Sequence, residues 1–93
     1  MTEASIERPR LASGARLAFD KVRDRHVLLF PEGAVALNET AVRVLELCDG
    51  RRTVDEIVAE LASLYGESPE LRADVDGLIG AIASRGLVVD APR

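Results

Sequence analysis

From Arg16 to Val22 the large apolar residues Leu17 and Phe19 fall at every second position, and after residue 38 apolar residues shift to a three-and-four spacing. This change of period divides the chain into a strand-forming front and a helical back. In the first stretch Leu17 and Phe19, with the stem of Lys21, alternate with Arg16, Ala18 and Asp20, as a half-buried strand requires. Arg23, Asp24 and Arg25 form a polar break of hairpin length without the glycine that the tightest turns prefer. His26 to Phe30 is apolar enough for a central strand, and Pro31-Glu32-Gly33 is a turn signal. Ala34 to Leu37 then makes a short third strand, and the three together predict an antiparallel meander.

Three helices follow, each with readable ends. Asn38 is a good N-cap, and Ala41, Val44, Leu45 and Cys48 form one apolar stripe that Asp49-Gly50 terminates. Thr53 and Glu56 have the spacing of a capping box for a second helix, striped by Val54, Ile57, Val58, Leu61 and Tyr65 and closed by Gly66. Ser68-Pro69 opens a third helix that runs to about Arg85 and buries Leu71, Val75, Leu78, Ile79 and Ile82. Gly86 stops it, and Leu87 to Val89 suits one further pairing segment. The expected fold is α+β: a small winged-helix-like domain, a three-stranded antiparallel sheet followed by a three-helix bundle. Residues 1–9 are expected as a disordered lead-in, and residues 10–90 as a single domain.

Composition narrows the function. The chain has 93 residues, 47% of them apolar but only 3% aromatic, so aliphatic side chains must fill one core. The single cysteine precludes an internal disulfide, and neither a secretory signal nor a membrane-spanning apolar run is present; the expected location is the cytoplasm. Residues 1–26 hold six Lys/Arg against four Asp/Glu, whereas residues 27–93 hold six against twelve. An acidic helical half is a poor match for a phosphate backbone. The alternative function, a winged-helix DNA-binding transcriptional regulator, is further weakened by the third helix, where Glu70, Asp74 and Asp76 outnumber the arginines. Cys48 lies on an apolar stripe with no base near it in sequence, and His26 has no second histidine or cysteine to complete a zinc set. No phosphate loop is present. The pattern is that of a binding module, with no catalytic residues, no metal site and no cofactor.

The back of the third helix is unusual. Ala73, Gly77, Gly80, Ala81 and Ser84 cluster opposite the core stripe, with Asp76 at their flank. Two interior glycines cost roughly 1 kcal/mol each relative to alanine. Either they are tolerated on a solvated face, or a face of small residues lets another backbone approach. The third strand supplies a possible second wall: Ala34, Val35, Ala36 and Leu37 form a sheet edge able to accept an added strand, unless the tail at Leu87 to Val89 covers it. Those ten residues are the candidate peptide-binding set.

Several segments, in order, resemble a known family: Arg16-Leu-x-Phe-Asp20-Lys-Val-Arg23, Leu28-Leu-Phe-Pro-Glu-Gly33, Leu37-Asn38-x-Thr40-Ala41, Leu47-Cys-Asp-Gly50, Asp74-Val75 and Arg85-Gly86-Leu87. Over residues 8–89 the chain resembles the pyrroloquinoline quinone (PQQ) biosynthesis protein D family. The resemblance implies a peptide chaperone, a recognition element for a ribosomally made, modified peptide. Such a protein binds the precursor peptide of PQQ and presents it to a radical S-adenosylmethionine (SAM) enzyme that cross-links a glutamate and a tyrosine within it. It further implies that the leader segment adds to the third strand and packs against the third helix. The expected state is a monomer or a strand-swapped dimer exchanging the front hairpin about Pro31 to Gly33.

Overall fold

The structure, a computed structural model, describes residues 6–92. In chain order it contains β1 (Pro9–Leu11), β2 (Arg16–Asp20), β3 (Arg25–Phe30), β4 (Gly33–Leu37), α1 (Glu39–Glu46), α2 (Val54–Tyr65), α3 (Pro69–Ser84) and β5 (Val88–Asp90). The meander is present as a three-stranded antiparallel sheet in the order β2-β3-β4. Its first turn works without glycine. The Asp20 carboxylate accepts the Val22 and Arg23 N–H groups at 3.0 and 3.2 Å, ending β2 two residues earlier than the alternation suggests. Asp24 then takes φ 56°, the left-handed conformation that aspartate tolerates better than most residues.

Register decides which side of the sheet is core. Leu17, Leu28 and Val35 stand opposite one another, and Leu28 is fully buried. The period of two places Phe19, His26, Phe30 and Leu37 on that same face, and Ala34 and Ala36 on the other. The helices cover the inner face through Val44 and Leu45 of α1, Ile57 and Leu61 of α2, and Val75, Ile79 and Ile82 of α3. Asn38 accepts the Ala41 N–H at 2.8 Å. The capping box of α2 is complete, with Thr53 N–H donating to Glu56 and Glu56 N–H donating to Thr53 Oγ1. The α1 helix is shorter than its stripe implies: Leu47 caps it, and Cys48 enters the core just past its end.

The chain ends are tied together. Residues 1–5 of the expected lead-in lie outside the described residues, but Pro9, assigned to it from sequence, is fully buried and opens β1. The β1 strand pairs antiparallel with β5, matching Pro9 to Asp90 and Leu11 to Val88. Proline fits there because a two-stranded ribbon leaves one side of each strand without ladder bonds. The Asp90 carboxylate accepts the Glu7 and Arg8 N–H groups at 3.1 and 2.8 Å, while the Pro9 carbonyl accepts Gly50 N–H at 2.9 Å. The ribbon thereby fastens residues 7–11 and 88–90 to the α1–α2 connection. It also means that the tail pairs with β1 and leaves β4 alone.

Candidate functional site

The outer side of β4 carries no ladder among the described residues, since β4 is the last strand of its sheet and β5 belongs to the other. In an antiparallel pair the ladder bonds alternate, so every second residue of β4 directs its N–H and C=O away from β3. Such an edge is a template for an added strand. Ala34 and Ala36 are exposed, Val35 is half-buried against the core, and Leu37 is buried. Leu37 therefore supports the strand from within, and what the edge offers a ligand is main chain and small side chains.

Beyond the end of β4 the chain turns into α1, and a groove of about 440 Å³ opens between α1 and α3. Asn38, Thr40, Ala41 and Val44 form one side of it; Ala73, Asp74, Gly77 and Leu78 form the other. Of the ten residues proposed from sequence, Ala73 and Gly77 line this groove. The other eight lie outside its lining: Ala34, Val35, Ala36 and Leu37 on β4, and Asp76, Gly80, Ala81 and Ser84 exposed on α3, with Ser84 Oγ donating to the Ala81 carbonyl at 2.7 Å. A Cβ added at Gly77 or Gly80 would meet nothing within 4 Å. Neither glycine is needed for packing within the chain, although each weakens the helix.

Sequence reasoning missed the α1 side. Asn38 reads as a cap, and Ala41 and Val44 read as core, which they are at 7% and 1% exposure. Both nevertheless line the groove. The signal available was Ala41 itself, a small residue in a stripe otherwise filled by Val, Leu and Cys.

The titratable groups elsewhere perform structural work. Arg72 pairs with Asp55 of α2 and lies 3.6 Å from Asp76, and the Asp55 hydrogen bond and charge hold its guanidinium above its usual pKa. Asp49 accepts the N–H groups of Arg51 and Arg52, chiefly the former, which lowers its pKa. His26 is exposed, with its ring edge-on to Phe19 at 5.0 Å. No group of three or more potential metal ligands occurs among the described residues.

Cys48 is buried, its Sγ donates to the Val44 carbonyl at 3.3 Å, and burial pushes the thiol up to about 12. A raised pKa keeps the folded thiol protonated while the unfolded one ionises near 8.5. This contribution to stability is therefore complete below about pH 8 and declines as pH rises toward 12. Urea unfolding at pH 8 and pH 10 should show a loss in the wild type that Cys48→Ala reduces; parallel losses in both proteins would refute the assignment.

An open strand edge and a groove with small walls give this small α+β domain the form of a module suited to hold an extended chain. The chain belongs to the coenzyme PQQ synthesis protein D (PqqD) family, whose family model matches residues 25–88. It is 37% identical over 92 residues to a PqqA binding protein of Rhodopseudomonas palustris strain BisB5, covering 98% of this chain and 90% of that one. It is 46% identical over 67 residues to a PqqA binding protein of Pseudomonas aeruginosa PAO1, covering 72% and 73%. A bifunctional coenzyme PQQ synthesis protein C/D of Methylorubrum extorquens AM1 is 44% identical over 78 residues, which is 83% of this chain but 21% of that protein. The solution structure of a PqqD truncation of Methylobacterium extorquens PqqCD, described as a stand-alone recognition element for ribosomally synthesised, modified peptides, superposes with TM-score 0.72 at 42% identity. The match covers 86% of each chain. The α+β fold expected from the pattern is thus that of the family. In α3 the exposed charges are mainly acidic and Arg72 is engaged, which disfavours DNA as the ligand. Among the described residues, no helix is long and apolar enough to cross a membrane.

Proposed function

We propose that this protein is a non-catalytic chaperone that binds the PqqA precursor peptide of PQQ biosynthesis, with the peptide adding as a strand to β4 and laying side chains along α3. The observation that carries this reading is the unpaired outer edge of β4, which leads at Asn38 into a groove whose α3 wall includes Ala73 and Gly77. The relatives named as PqqA binding proteins support the choice of peptide. Main-chain pairing gives affinity that depends little on sequence, and the groove adds selection by side-chain size. Ala34 to Leu37 form the pairing edge, Ala73 and Gly77 the wall, and Asp76, Gly80, Ala81 and Ser84 the continuation of the helix face.

Binding without chemistry is useful when it raises the local concentration of substrate at a second protein. The relative in which a C portion and a D portion share one chain is consistent with such delivery. We assign the recipient as the radical SAM enzyme of the pathway, with the encounter in the cytoplasm. The direct test is an amide NMR titration of the labelled chain with PqqA peptide. Resonances of residues 33–37 and 73–78 are expected to shift first and furthest. Shifts confined to the β1–β5 ribbon or to the α2 surface would overturn the proposed site.

A further inference from the structure

We infer that Asp74 selects the docked peptide and biases its register by pairing with a lysine or arginine side chain of that peptide. The inference rests on the peptide-binding reading above and deepens it. A strand added to β4 gains nearly the same main-chain bonds in several registers, yet a slip of one residue turns every side chain to the opposite face. Something beyond the ladder must therefore choose. The alanine, glycine, valine and leucine of the groove can reject bulk but cannot fix a single position. Thr40 and Asn38 are neutral, and the Asn38 side chain is already occupied by the Ala41 N–H.

Asp74 is the one charged residue in the groove lining. It makes no ion pair or hydrogen bond among the described residues. The cations of the two flanking helices are committed elsewhere. Arg43 of α1 pairs with Glu46 at 2.9 Å, and Arg72 of α3 with Asp55 and Asp76. Glu39 and Glu70, at the first turns of the same helices, add negative charge to the two elements that flank the groove. A bound segment with a cation at this point meets an unshared carboxylate, and one with an anion meets like charge. The site is open to water, so the pair is modest and salt-dependent, and it biases the choice among otherwise nearly equal registers by the same few-fold factor.

The experiment titrates the full chain at low salt with PqqA peptide, and with versions in which each lysine or arginine is singly replaced by glutamate. One replacement is expected to weaken binding about two- to fivefold, the range of an exposed ion pair. Asp74→Lys should restore affinity for that peptide alone. Asp74→Asn should weaken the native peptide by a similar factor, and high salt should erase the difference. If no replacement matters, or Asp74→Lys rescues none, while the groove-filling Gly77→Leu still blocks binding, the groove stands and the role of Asp74 is overturned. If Gly77→Leu also leaves binding intact, the docking site itself is wrong and the inference falls with it.

Discussion

Gly77→Leu is expected to lower affinity for PqqA peptide about tenfold to a hundredfold while leaving the protein folded and slightly more stable. An added Cβ at Gly77 meets nothing within 4 Å, so the helix itself accepts a side chain at this position in the groove wall. Helix propensity favours the replacement, since glycine is roughly 0.8–1.0 kcal/mol less favourable than alanine in a helix interior and leucine is close to alanine. A docked peptide, by contrast, must share the space with four new carbons. Overpacking of a fitted interface costs about 1–3 kcal/mol, and each 1.4 kcal/mol is a factor of ten. Stability and binding should thus move in opposite directions, a signature that no general weakening of the fold can produce. Thermal unfolding and calorimetric titration of the same preparation would check it. Unchanged affinity in the more stable variant would remove the α3 wall from the site.

The same residue shows why part of the site can be read from sequence. A helix that places glycine at positions 77 and 80, opposite a strong apolar stripe, contradicts its own local preference, which is what brings this face forward as a candidate from sequence. The β4 edge is legible only as one of two outcomes, because the later segment Leu87 to Val89 could have covered it; the pairing of β5 with β1 decides between them. The opposite wall is not legible. Ala41 and Val44 fall on the same stripe as Leu45, and periodicity cannot distinguish a side chain that fills the core from one that also lines a groove.

The fold divides in the same way. The caps at Asn38 and Thr53 act over three residues, so they can be recognised from spacing alone. The β1–β5 ribbon depends on Asp90 reaching the Arg8 N–H, 82 positions away in the chain, and nothing local around Pro9 announces a strand. The end of α1 at Glu46 is tertiary as well: Cys48 joins the core after the helix has stopped, so its place in the stripe was a coincidence of burial.

Leu28→Ala is expected to destabilise the domain by about 2–5 kcal/mol, the usual cost of truncating a buried leucine. Leu28 is fully buried at the middle of the central strand, with Leu17 and Val35 opposite it on the two neighbouring strands. Its side chain therefore touches the point where all three strands meet the helices, and little relaxation is available from any one of them. A domain of this kind has about 5–15 kcal/mol in total, so the loss is a large part of the whole. The midpoint of urea unfolding should fall accordingly with little change in slope, whereas Val22→Ala, at a position 91% exposed in the β2–β3 turn, should stay within about 0.5 kcal/mol of wild type. Peptide affinity follows from the same geometry. The β4 edge is held in place by its pairing to β3, by Val35 and Leu37 beneath it and by its contacts with α1, so the folded fraction of Leu28→Ala should bind near-normally while the unfolded fraction binds nothing. Affinity would then track the folded population in urea, unlike Gly77→Leu, which loses binding when fully folded. A Leu28→Ala protein that kept wild-type stability would show that the sheet is not anchored to the helices through this residue.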